Sequence, residues 1–339
     1  MTEKARLFAP QKYGEDIGMR PGSMIHGWTI NFVFNMGGMG DFVNYSAATQ
    51  WVMNNCPWVH GRVVAPRYLT PLMQDIHPKW KCVPSETFQD VVEKGDAIIG
   101  PDIHINGINT SRQFVTVVGA HPVDVGFAYY AGTIPALGDL PVLDYPKDRL
   151  IKAVREIGPY VVFPVGNVQA SRKVLGQHLN PIIDYVKRVY GFTPVFLGKS
   201  DLLGNGKQST TFDQDVNYHL GLDLRDRTTV KEAAAIMQHA EFTLGLDTGL
   251  LHLAALMKNS KIIFGYNITS VAHRAPRRKH GLTVNLTLTE AELKCIGCQS
   301  KLKHISGHTF DQCLYKDLKC VDLLFEPKKW FEAIDEIMA

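Results

Sequence analysis

The sequence predicts an α/β protein of two doubly wound, Rossmann-like domains facing each other across a cleft. Three observations carry this expectation. Short apolar runs rich in Val, Ile and Phe alternate with stretches of helical spacing, the pattern of parallel strands joined by crossover helices. The alternation occurs twice, with Pro and Gly crowded from Gly132 to Pro146 where the first series finishes. In each series one strand runs into a glycine-bearing turn and then a helix, and in open parallel sheets ligands bind at such turns.

In chain order, residues 1–27 lack periodicity and read as an arm. Thr29–Phe34 is the first strand; it enters Asn35-Met36-Gly37-Gly38-Met39-Gly40-Asp41 and a helix over Phe42–Asn54. A dinucleotide site there needs an acid at the end of the next strand. Gly61–Ala65 is followed instead by Pro66 and Arg67, which argues against nicotinamide or flavin. Ala97–Gly100 and Phe114–Val118 read as strands, Val123–Ala131 and Lys147–Ile157 as helices.

The second series opens with Tyr160–Val165, ending at Gly166. Asn180 and Pro181 read as the cap and first position of the next helix, and Pro194–Gly198 as the following strand. Thr229-Val230-Lys231-Glu232 is a capping box. The helix it starts leads into FTLGL, Phe242–Leu246, a buried strand broken by Asp247-Thr248-Gly249. Leu250, Leu251, Leu253, Ala254 and Met257 then recur at helical spacing before the strand Lys261–Phe264. The helix start offers N–H groups to an anion. Asp247 would repel a phosphate, and suits sugar hydroxyls or a structural cap instead. These signals divide the chain into 1–155, 156–326 and a last helix from 327 to 339 that could pack on the first domain.

Composition narrows the function. With 45% apolar and 20% charged residues the chain is a globular protein, and no run of eighteen apolar residues spans a membrane. The N-terminus lacks the apolar core of a signal peptide, so the expected location is cytoplasmic. A net charge of +3 does not by itself imply nucleic-acid binding. Asp213-Gln214-Asp215 reads as a solvated loop and not a metal motif, and His252 as a core histidine. The basic cluster His273–His280 either borders an anionic ligand or is solvated. Six cysteines in that compartment argue against disulfides. Cys295-Ile296-Gly297-Cys298 with Cys313 and Cys320 form a four-thiolate constellation within 295–320 that suits zinc or a single iron. Cys56 and Cys82 read as core thiols.

Asp226–Asn267 resembles the signature region of glycosyltransferase family 9, the ADP-heptose transferases of GT-B fold. Asp247-Thr248-Gly249-Leu250-Leu251-His252-Leu253-Ala254 departs from the family's Asp-Thr-Gly-Leu-Met-His-Leu-Ala only by Leu for Met. Gly40-Asp41 resembles the family's N-terminal Gly-Asp, which makes Asp41 the catalytic base. Gly166 with Ser171-Arg172-Lys173 resembles the turn whose Lys contacts the donor diphosphate. The resemblance therefore implies a metal-independent glycosyltransferase, heptosyltransferase-like, with a nucleoside-diphosphate sugar (ADP-heptose) as co-substrate. It places Gly40, Gly166, Ser171, Arg172, Lys173, Asp247, Thr248 and Gly249 at the donor. No counterpart of the family's ribose-binding Glu follows Pro194–Gly198, Asp201 being the nearest acid. Relatives that modify autotransporter proteins carry a four-cysteine iron finger, so the acceptor is a glycan, a lipid-linked sugar or a protein, and a homo-oligomer is open. Two other readings share the fold: transfer to nucleic acid, and a non-catalytic binding or assembly subunit.

Overall fold

A computed structural model of the chain describes residues 29–33, 38–55, 57, 60–87, 97–99, 139–166, 172, 174–200, 215–298, 313 and 317–339. The arm 1–27, the expected elements at 114–118 and 123–131, and Cys56, Ser171, Lys173, Asp201, Asp213 and Gln214 lie outside the described residues. Contacts divide the chain into two compact units, Met1–Leu143 with Arg277–Lys279 and Asp144–Pro276 with His280–Ala339.

In the first unit β1 (Thr29–Val33), α1 (Met39–Asn55), β2 (His60–Ala65), α2 (Thr70–Ile76), β3 (Lys81–Pro84) and β4 (Ala97–Ile99) succeed one another. The strands pair in parallel in the order β3-β2-β1-β4. The Trp80 ring stacks on Phe32 at 4.9 Å and lies parallel to the His77 ring at 6.0 Å. Gly61 makes room for it, since a Cβ there would lie 2.2 Å from the indole. His77 is fully buried. Its Nδ1–H donates to the Met73 carbonyl at 2.8 Å, and its Nε2 lies 2.7 Å from the Thr49 hydroxyl, which can donate to it when the ring is neutral.

Burial pushes the His77 imidazole down to about 4, against a partial rise from the Met73 carbonyl. The unfolded chain titrates near 6.5, so this contribution is complete above pH ~6.5 and is lost as pH falls toward 4, about 3 kcal/mol in all. Urea titrations at pH 7 and pH 4.5 should show this loss in the wild type and a much flatter response in His77→Gln. Equal slopes for the two would count against a buried neutral ring.

The second unit carries α3 (Lys152–Arg155), β5 (Tyr160–Val165), α4 (Gly176–Tyr185), β6 (Thr193–Gly198), β7 (Leu222–Asp223), α5 (Val230–Gln238) and β8 (Thr243–Leu246). There follow α6 (Gly249–Ala255), β9 (Lys261–Tyr266), α7 (Val271–Arg274), β10 (Leu282–Thr287), α8 (Lys319–Leu324) and α9 (Pro327–Met338). All six strands are parallel, in the order β10-β9-β8-β5-β6-β7. This is the Rossmann order, with the chain reversing direction across the sheet between β5 and β8. Val161, Phe163 and Val165 of β5, Phe196, Leu244 and Ile263 pack with Leu179, Ile182 and Ile183 of α4 and Trp330 and Ile334 of α9 in one core.

Two expectations are corrected. Lys147–Ile157 is not one helix: residues 147–149 make a 3₁₀ turn, Leu150 and Ile151 are extended, and α3 is a single turn. Arg149, Lys152 and Arg155 would repel one another at i,i+3 spacing along a continuous helix, and Gly158 at φ +72° stops the chain. Helix α4 starts at Gly176, so Pro181 lies inside it. Asn180 does bind backbone, but across to another turn: its Nδ2 donates to Asp215 O and its Oδ1 accepts from Asn217 N, both at 2.9 Å. The last helix, α9, buries Trp330, Ala333, Ile334 and Ile337, which join the core of the second unit. Gly265 lets the Trp330 ring come within 3.2 Å of where a Cβ would stand. Burying such side chains is worth ~1.5–3 kcal/mol each, far above the few tenths from the exposed Lys328–Glu332 pair.

Candidate donor site at the switch point

Ligands in a doubly wound sheet bind outside the carboxyl ends of the strands where the order reverses, here the ends of β5 and β8. At the first, Gly166 has φ +79° and a Cβ would meet Lys199 O at 2.3 Å. Gly198, at φ +132°, would meet Val165 O at 2.0 Å. Only glycine fits either position, and together they let the ends of β5 and β6 close on each other.

At the second, the Asp247 N–H donates to Gly265 O at 3.0 Å, prolonging the pairing of β8 with β9. The carboxylate that follows is buried, with 3% side-chain exposure. Three side chains converge on it. Arg172 Nη2 lies 3.2 Å from Oδ2, the Thr269 hydroxyl donates to Oδ2 at 2.9 Å, and His252 Nε2–H donates to Oδ1 at 2.8 Å. Burial alone would raise this carboxyl, but the Arg172 guanidinium, the His252 hydrogen bond and the charge of Arg274 hold it well below the usual carboxylate range. Asp247 is therefore an ionised anchor inside the sheet's edge and not the cap of α6. The cap position is Thr248, whose side chain accepts no capping bond. Its Oγ1 and His252 Nδ1 are buried without a hydrogen-bond partner among the described residues.

The structure thus joins Arg172 to Asp247, with Thr248 and Gly249 opening α6 beside them and Gly166 ending β5. His252 is the buried histidine the sequence suggested, with a carboxylate partner added. Gly40 and Asp41 stand on α1 of the first unit, where Asp41 Oδ2 accepts from the Gly38 N–H at 3.0 Å. That bond gives it a share in capping the helix. The basic cluster is engaged within the protein: Lys279 pairs with Asp139 at 2.5 Å, His273 Nδ1 bonds the Ser270 hydroxyl at 2.8 Å, and burial pushes the Arg278 guanidinium down to about 10.

Two groups escaped the sequence. Nothing in the spacing of Thr269, twenty-two residues beyond Asp247, points to that acid. Asp226 lies after β7 in a left-handed conformation, φ +57°. Its N–H donates to Gly198 O at 3.0 Å. Its carboxylate takes the Ser200 N–H at 2.8 Å, the Ser200 hydroxyl and the Lys199 ammonium at 3.1 Å. The result is a carboxylate at the end of β6 supplied by the next strand.

Of the four cysteines, Cys320 is buried and Cys295, Cys298 and Cys313 partly so. Burial first, then Cys298 and, more weakly, Cys313 and Cys295, push the Cys320 thiol up to about 12, against an opposing hydrogen bond from Asn267. The sulfurs are near enough to act on one another, yet among the described residues no three potential ligands close on a single point. The soft, partly buried donor set suits a thiophilic cation; the closed tetrahedron is not formed.

Comparison with known proteins supports the resemblance. Residues 205–306 match the family model described as glycosyltransferase family 9 (heptosyltransferase). The match includes Asp226, Asp247–Gly249, Cys295 and Cys298. No curated protein sequence matches the chain significantly. Solved structures that share the fold include the following three. One is the iron-containing dodecameric glycosyltransferase TibC from enterotoxigenic E. coli H10407, at 14% identity over 91% of this chain and 75% of that one, TM-score 0.64. TibC in complex with ADP-D-beta-D-heptose matches at 13% identity, over 94% of this chain and 78% of that one, TM-score 0.66. The family 9 glycosyltransferase from Veillonella parvula DSM 2008 matches at 14% identity, over 93% of this chain and 98% of that one, TM-score 0.61. Among the described residues no helix is long and apolar enough to cross a membrane.

Removing one partner of a buried charge pair typically costs ~3–5 kcal/mol. Asp247→Ala should therefore lower urea stability by about that much, because the largely buried Arg172 guanidinium loses its carboxylate. Arg172→Met should cost less, because Thr269 and His252 still serve the carboxylate. A loss below ~1 kcal/mol for Asp247→Ala would contradict the anchor.

Proposed function

We propose that this chain is a heptosyltransferase-like glycosyltransferase that moves a sugar from a nucleoside diphosphate, ADP-heptose in the first instance, to an acceptor hydroxyl. The observation that carries this reading is the Arg172–Asp247 pair at the strand-order reversal, whose Asp247 lies inside the region matching the family. Its support is a fold shared with TibC, which has been solved with ADP-D-beta-D-heptose.

In this mechanism the acceptor oxygen forms a bond to the anomeric carbon as the bond from that carbon to the diphosphate oxygen breaks. The diphosphate leaves with the electron pair, and the hydroxyl proton goes to Asp41 as general base. Arg172, with Ser171 and Lys173, and the N–H groups of Thr248 and Gly249 receive the departing charge. Asp247 does not touch phosphate; it fixes the guanidinium that does. Asp226 takes the ribose-facing place for which no Glu stands after β6, since its carboxylate is at the end of the second strand of the Rossmann order. The cysteines Cys295, Cys298, Cys313 and Cys320 would hold zinc or iron, a cation that would supply local structure. The acceptor is a glycan, a lipid-linked sugar or a protein; the internal pairing of Lys279 and the burial of Arg278 leave less of the basic cluster for nucleic acid.

Release of ADP from ADP-heptose with a heptosylated acceptor tests the reading. Asp41→Asn should keep ADP affinity and lose at least ~100-fold in transfer, given that general-base catalysis is worth ~10²–10⁴; Lys173→Ala should lose ADP affinity instead. Transfer by Asp41→Asn within about tenfold of wild type would remove it as the base.

Elemental analysis of protein purified without added metal should find about one zinc or iron per chain. Cys298→Ser should then destabilise the C-terminal segment. Less than about a tenth of an ion per chain would leave ordinary thiols at these positions.

A further inference from the structure

The four residues after β9 are Asn267-Ile268-Thr269-Ser270, and the cysteine segment 295–320 follows further along the chain. The structure connects the two. Asn267, Ile268 and Thr269 are all buried. The Asn267 carbonyl accepts from the N–H of Gly297, inside the Cys-Ile-Gly-Cys turn, at 2.9 Å. Its side-chain Nδ2 donates to Cys320 Sγ at 3.6 Å. Gly297 sits at φ +66°, and the place of its missing Cβ is 3.7 Å from the Ser270 side chain. Two residues on from Asn267, Thr269 donates to Asp247 Oδ2, the same oxygen that faces Arg172. Ser270 then begins α7, and Arg274 on that helix adds its charge to the field at Asp247. One buried strap therefore holds both ends of the cysteine segment on one side and the anchoring acid on the other.

We propose that Asn267 is a positioning residue for the donor site: it seats the strap on Gly297 and Cys320 so that Thr269 holds Asp247, and Asp247 holds Arg172, in the geometry that binds a nucleoside diphosphate. The inference rests on the donor reading given above. It couples Gly297 and Cys320 to the anion site through the strap. An N–H···S bond to a cysteine is also the kind of contact that fixes a thiolate when it ligates a cation, and the strap links that contact to Asp247. The gain lies in preorganisation, because a guanidinium already in place loses little freedom when the diphosphate arrives.

Calorimetry with ADP on the full chain tests this with Asn267→Ala, Thr269→Val and the double variant, with urea stability measured on each. Both single variants should weaken ADP binding about tenfold, and the double variant no further than either single one, because both act through Asp247. Cys320→Ala, which keeps Asn267 but removes its acceptor, should behave like Asn267→Ala and serves if that variant folds poorly. ADP affinity unchanged in Asn267→Ala and Cys320→Ala overturns the inference while leaving the donor reading intact. So do losses that multiply in the double variant to about a hundredfold, since they would mark independent effects. A wild type without ADP affinity defeats the donor reading and this inference with it.

Discussion

A single buried negative charge organises the second unit. The Asp247 carboxylate is held inside the carboxyl edge of a parallel sheet, where an isolated ion would be too costly to keep. It is tolerated because Arg172, His252 and Thr269 arrive together from three different segments: the turn after β5, helix α6 and the strap after β9. Each of these segments has its path set by that requirement. The pair is no guarantee of stability, since desolvation offsets much of its attraction. Its consequence is positional: the Arg172 guanidinium stands at the reversal of strand order before any ligand arrives.

Asp247 faces inward to its three donors; in the proposed donor site the charge offered to a diphosphate is that of the cation it fixes, so an acid at this turn need not oppose an anion. Asp226 at the end of β6 follows the same economy of position, a carboxylate borrowed from a neighbouring strand and steadied by the Ser200 N–H. The paired glycines 166 and 198 serve the same edge, for any side chain at either would separate the strands that carry these groups.

Much of this was legible in the sequence because parallel strands are buried on both faces and write themselves as apolar runs. Tyr160–Val165 and Thr243–Leu246 were recognisable for that reason, and Thr229 with Glu232 showed the start of α5 through a reciprocal cap that the structure contains. Asp247-Thr248-Gly249 was legible as a strand-to-helix turn. The partners of Asp247 were not, since Thr269 and Arg172 lie twenty-two and seventy-five residues away and nothing local records which oxygen they will meet. Pro181 misled because a proline that loses one helical bond is tolerated when the rest of its helix buries Leu179, Ile182 and Ile183. The run Lys147–Ile157 misled because the repulsion among Arg149, Lys152 and Arg155, and the left-handed Gly158, oppose the helix that its composition suggests. The cysteine spacing was visible, while its link to Asp247 through Asn267 was not.

The central claim is that the Arg172–Asp247 pair marks the place of a nucleoside diphosphate. A crystal structure of the protein with ADP-heptose tests it most directly. The account predicts the diphosphate outside the ends of β5 and β8, within hydrogen-bonding distance of Arg172 and of the Thr248 or Gly249 N–H, with Asp247 still bonded to Thr269 and His252. ADP-heptose bound elsewhere, with Arg172 untouched by phosphate, would contradict it.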